Sequence, residues 1–156
     1  MEIDRSFLKK AIDIAVDGVE KGGGPFGAVI TKDGQIVAEA FNRVVLLNDP
    51  TAHAEILAIR QASLFLKTHD LGNCIIYSSC EPCPMCLGAI YWAGIKKVVY
   101  SSDREDAAKA GFNDSFIYNE ILIKPSERKI LFLHISDNGS KELFRKWENF
   151  EEKIPY

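Results

Sequence analysis

From residue 5 to residue 20 the apolar positions Phe7, Leu8, Ala11, Ile12, Ala15, Val16 and Val19 fall three and four apart. That spacing predicts a helix with one buried face, and the glycines of KGGG end it. The period then shortens. FGAVI and QIVAEAF predict two strands joined by a turn at Lys32, Asp33 and Gly34. A helix over about 52–66 follows, entered through NDPT with Asp49 or Thr51 as candidate N-caps. CIIYSS predicts a short buried strand, the run from Pro82 to about Ala93 a helix, and KKVVYSS another buried strand. Residues 103–128 are polar with short helical pieces, and KILFLHI, at 129–135, predicts a fifth strand. Residues 140–152 predict an amphipathic helix with Leu143, Phe144, Trp147 and Phe150 on one face.

Apolar strands that alternate with helices imply an α/β fold whose sheet has at least one parallel part and is covered on both faces. No repeat, low-complexity tract or Pro/Ser-rich linker interrupts the chain, so a single domain over 1–156 is expected. At 156 residues it is long enough to bury a core without covalent staples. The net charge of -3 offers no basic excess for a nucleic-acid backbone, and points to a small or modestly charged ligand. MEIDRSFLKK carries five charged side chains and no apolar segment, unlike a signal peptide, and no apolar run reaches membrane length. The expected location is the cytoplasm, with no membrane partner. Thiols stay reduced there, which lowers the expectation of disulfides and raises that of metal binding or catalysis.

Chemistry concentrates in two short runs. DPTAHAEILAIR, at 49–60, sets His53 and Glu55 at a helix start, and CEPCPMC, at 80–86, holds Cys80, Cys83 and Cys86. Imidazole nitrogen and thiolate sulfur suit zinc, and a catalytic zinc keeps three protein ligands and one open position. His53, Cys83 and Cys86 would supply the three. Cys83 and Cys86 are three apart and so share one face of a first helical turn. Residues two apart lie on opposite sides of a helix, so His53 and Glu55 can flank one centre only beyond the helix end. The inference is a metal held between two helix N-termini, whose partial positive charge suits thiolates and a bound hydroxide. Glu55 is then placed to accept a proton from the metal's water and to hand protons on. A rival reading makes Cys80 a fourth ligand, closing a structural Cys3His zinc site in a binding module without catalysis. Cys80 and Cys74 otherwise read as small buried residues.

Other stretches admit plainer readings. GGGPFG matches G-x-G-x-x-G literally, but a helix precedes it and a strand follows, the reverse of a dinucleotide loop. His69 and His134 have no partners at ligand spacing. Asp114 in GFNDSFIY could cap a helix or accept N–H donors from a purine edge. Asn42 could serve a turn or a base edge. Phe26 and Trp92 could be core residues or pack on a planar ring.

His53-Ala54-Glu55 together with Pro82-Cys83-Pro84-Met85-Cys86 resembles the signature H-x-E…P-C-x-x-C of the zinc nucleobase deaminases. Within that group the chain resembles the bacterial guanine deaminases, through GGPFGAVI, NDPTAHAE, SSCEPCPMCLGAIYWA, DAAKAGFNDSFIY and the final tyrosine. The resemblance implies a cytidine deaminase-like fold, three layers α/β/α around a central five-stranded mixed sheet. It implies one Zn2+ per subunit on His53, Cys83 and Cys86. It implies hydrolysis of guanine to xanthine and ammonia by a zinc-bound hydroxide, with Glu55 as proton shuttle and help from Asp114. Substrate contacts would fall to Phe26, Asn42, Ala54, Trp92, Asp114 and Tyr156. The resemblance further implies a homodimer in which the helix and tail at 140–156 are exchanged and Tyr156 closes the partner's site. A tRNA adenosine deaminase shares NDPTAHAE and the zinc motif and is the chief alternative, followed by deaminases of other small aminated heterocycles. Acidic residues interleave with Lys and Arg in KELFRKWENFEEK, which favours a free base over RNA.

Overall fold

The structure, a computed structural model, describes residues 4–155. Its first helix, α1 (Arg5–Glu20), is capped by Asp4, whose side chain accepts from the Ser6 amide. Two strands follow, β1 (Gly24–Lys32) and β2 (Gln35–Asn42), as their alternation predicts. Asp33 and Gly34 both adopt positive φ, 50° and 76°, and Lys32 pairs with Gln35, so the hairpin closes in a two-residue turn. A four-residue helix, α2 (Val44–Leu47), precedes α3 (Ala54–Leu66); β3 (Cys74–Cys80), α4 (Pro84–Trp92) and β4 (Lys97–Ser102) complete the sheet. Then come α5 (Arg104–Lys109), α6 (Ser115–Leu122), a 3-10 turn at Pro125–Glu127 and α7 (Asn138–Glu148).

The sheet order is β2-β1-β3-β4, with β1 antiparallel to β2 and to β3, and β3 parallel to β4. This mixed α/β sheet is covered on both faces. Ala28, Ile30, Ala38, Ala40 and Ile76 face Ala54, Ala58 and Ala62 of α3 and Ile90 of α4 in one core cluster. Alanines four apart let α3 approach the sheet closely. On the other face Val29 and Tyr77 meet Ala11 of α1, with Phe7 and Leu8 packed alongside. A side chain on Gly27 would collide with the Ala11 carbonyl, so that glycine sets how near α1 can lie.

Three expectations need correcting. The sheet has four strands among the described residues, not five: 129–135 belongs to no strand. The described residues divide into two compact units, one ending at Asp114 and the other beginning at Ser115, and the second contains no strand with which KILFLHI could pair. Continuous apolarity reports a need for burial and not where the partner strand comes from. The N-cap of α3 is His53, not Asp49 or Thr51; the Asp49 carboxylate instead accepts from the Thr51 amide and hydroxyl, shaping the entry loop. The last helix spans Asn138–Glu148, starting earlier than expected because Asp137 caps it. No helix among the described residues is long and apolar enough to cross a membrane.

Candidate active site

His53 and Cys83 occupy equivalent places. Each is the N-cap of a helix, in extended conformation, and neither uses its side chain to cap that helix. The imidazole and the thiol are therefore free to point past the helix ends. Pro84 starts α4 without an amide that needs a partner, and Cys86, two residues on, lies in the same first turn. His53 Nδ1 is 3.5 Å from the sulfur of Cys83 and 3.5 Å from that of Cys86. The three ligand atoms lie within 4.8 Å of one another. A tetrahedral zinc at ordinary Zn–S and Zn–N bond lengths separates such atoms by about 3.6 Å. The donor set fits zinc in kind and spacing, and His53, Cys83 and Cys86 could hold one ion.

The charges at this cluster run in opposite directions. The hydrogen bond with Cys86, and after it the one with His53, holds the Cys83 thiol down at about 4 against the effect of burial. Cys86 is pushed far up, by its hydrogen bond to Cys83 and then by burial and Glu55. His53 is raised, chiefly by its hydrogen bond to Cys83. The N-termini of α3 and α4 both face the cluster and favour its negative charge.

Glu55 is only 5% exposed. Its Oε2 accepts from the Cys86 thiol at 3.4 Å and its Oε1 from the Ser78 hydroxyl at 3.2 Å. Burial raises its affinity for a proton above the usual carboxylate range. A carboxyl so placed, against the ligand set and drawn toward neutrality, suits the carrying of protons.

Cys80 stands apart. Its thiol donates to the Asp103 carbonyl at 3.4 Å, and burial pushes it up to about 11. It belongs to no ligand cluster among the described residues, which removes the structural reason for a closed four-ligand site. All four cysteines are free thiols.

The remaining candidates scatter more widely. Asp114 is half-buried, and the Cys83 charge, after burial, raises its affinity for a proton, so the two groups are within electrostatic reach. Asn42 is buried and accepts from the Val44 amide at 3.2 Å, the turn role. Ala54, the first residue of α3, is fully buried. Phe26 lies in a bulge of β1, where the register to β2 shifts between Gly24 and Gly27, and its ring meets Phe112 edge-on at 4.9 Å. Phe112 carries no signal in the sequence beyond its neighbourhood to Asp114. Trp92 is 71% exposed at the far end of α4, about 13 Å along the axis from Cys83. Tyr156 lies outside the described residues.

Fold and site together define a zinc-dependent deaminase: the model of the cytidine and deoxycytidylate deaminase zinc-binding region matches residues 1–102, and the chain belongs to that family. It is 54% identical over 152 residues to a guanine deaminase from Bacillus subtilis, covering 97% of both chains. An X-ray structure of guanine deaminase from Bacillus subtilis superposes with a TM-score of 0.96 at 52% identity, covering 99% of each chain. A tRNA-specific adenosine deaminase from Aquifex aeolicus is 47% identical over 96 residues, which is 62% of this chain and 64% of that one.

Proposed function

We propose that this chain hydrolyses guanine to xanthine and ammonia. The observation that carries the reaction class is the buried Glu55 carboxyl beside a three-ligand cluster, which leaves a fourth tetrahedral position for solvent. The choice of base is supported by similarity to guanine deaminase over nearly the whole chain, whereas similarity to the tRNA enzyme covers 62% of it. The net charge of -3 favours the same choice.

When bound, zinc supplies a Lewis acid that acidifies the attacking water. Glu55 takes up the proton released from that water and passes it to the ring nitrogen beside C2. A second proton goes by way of Glu55 to the amino group, with Asp114 assisting. The new C–O bond forms at C2, the C–N bond to the amino group breaks, and ammonia leaves. Water and guanine are consumed and the protons balance. Asp114 and Asn42 would accept and donate at the polar edge of the base, while Phe26 and the backbone at Ala54 bound its flat face. Trp92, exposed at the far end of its helix, is the remaining candidate for packing on the ring.

A homodimer follows from the same reading. Leu143, Phe144, Trp147 and Phe150 of the C-terminal segment are exposed, as are Ile130, Leu131, Leu133 and Ile135. β4 is an edge strand. Exchange of this segment would bury the first set, would let 129–135 serve as the fifth strand of a partner sheet, and would bring Tyr156 to the partner's site. Four free thiols suit the reducing cytoplasm.

The test is ammonia release from zinc-loaded protein given guanine, adenine, cytosine, their nucleosides, or a tRNA anticodon stem-loop. Release from guanine alone is expected. Release from the stem-loop alone would replace this reading with the RNA-directed one.

A further inference from the structure

Along β3, Cys74, Ile76, Ser78 and Cys80 alternate toward the same side of the sheet. Cys74 and Ile76 join the apolar core against α3. Ser78 breaks that row with a hydroxyl, yet it is 1% exposed. A hydroxyl so buried costs about 1–3 kcal/mol unless it is partnered. Its partner is Glu55, 23 residues away in sequence, whose Oε1 accepts from the Ser78 Oγ at 3.2 Å. The backbone beneath Ser78 is held on both sides, by Ala28 of β1 and Tyr100 of β4.

The two oxygens of Glu55 have partners of different permanence. Oε2 accepts from the Cys86 thiol. A Cys86 that binds metal is a thiolate with no proton to donate, so that bond ends when the site is loaded. The Ser78 bond does not depend on the state of the metal site. We propose that Ser78 is a positioning residue: its hydroxyl pins Oε1 of Glu55 to the central strand and leaves Oε2 as the oxygen that carries protons. A carboxyl that collects a proton from water and delivers it at two other atoms must stay within hydrogen-bond reach of all three. One anchored oxygen fixes the side chain for that task. The inference rests on the reading of Glu55 as proton carrier given above.

A double-mutant cycle in the zinc-loaded, full-length protein tests it, with guanine as substrate. Ser78→Ala is expected to lower kcat at least about tenfold while KM stays within about twofold. Zinc content should match the parent, and the thermal midpoint should fall by no more than several degrees. In a Glu55→Gln background, adding Ser78→Ala should change the residual rate less than about twofold, because the positioned group is already gone. Ser78→Thr, which keeps the hydroxyl, should restore kcat; if its extra methyl prevents folding, the cycle alone decides. In the zinc-loaded protein, the infrared carboxylate bands that Glu55→Gln removes should shift in Ser78→Ala. Parent-like kcat in Ser78→Ala with an inactive Glu55→Gln would reduce Ser78 to packing and leave Glu55 in its role. An equal loss in both backgrounds, or an unshifted set of carboxylate bands, overturns the positioning role as well. Parent-like turnover in Glu55→Gln overturns both this inference and the reading beneath it.

Discussion

Cys80 and Cys83 are three residues apart and have opposite chemistry. Cys83 caps α4 beside His53, where hydrogen bonds hold its thiol at about 4. Cys80 closes β3 with its proton committed to the Asp103 carbonyl, and burial holds it at about 11. The first is disposed to bind a cation and the second is not. Cys80→Ser should therefore keep zinc and fold, at a stability cost of about 1 kcal/mol, whereas Cys83→Ser should lose the metal. Elemental analysis of the purified variants decides, and equal zinc loss in both would contradict this division. The cluster that could hold a metal is legible in the sequence because histidine and cysteine are scarce, with three and four in the chain, and their spacing fits one ion. Ser78 and Phe112 are not. Nothing in SSC or GFN announces a hydroxyl bonded to a carboxylate 23 residues earlier, or a ring set against Phe26.

At the scale of elements, the site is made where α3 and α4 begin. Neither helix end need be exact for the metal to fit, because the ligands sit at the cap and in the first turn. The sequence pattern places both starts within two residues, yet assigns the cap of α3 to Asp49 or Thr51. Those side chains satisfy the loop that leads in, which frees His53 at the cap itself. The C-terminal segment is read less well. KILFLHI has the composition of a buried strand and α7 the apolar stripe of a docked helix, but both lie exposed in the described chain. A pattern of hydrophobicity carries no information about which copy provides the burial. If a second copy provides it, removing residues 140–156 should convert a dimer to a monomer and lower ammonia release at least about tenfold. Sedimentation equilibrium reads the mass; an unchanged dimer mass with full activity would contradict the exchange.

At the scale of the whole molecule, the fold serves to bring two sequence runs about thirty residues apart to one point. The hairpin of β1 and β2 and the parallel pair of β3 and β4 were legible as strands, but their order, β2-β1-β3-β4, was not, because nothing in a strand's own alternation names its neighbours. That order puts β3 in the interior of the sheet, where Ser78 bonds to Glu55. The claim on which the function depends is that the ion has three protein ligands and one position for solvent. Zinc-edge X-ray absorption on the loaded, substrate-free protein measures it directly. Two sulfur neighbours at about 2.3 Å with two lighter neighbours at about 2.0 Å are predicted; three sulfurs would mean a saturated structural site and would contradict the enzymatic account.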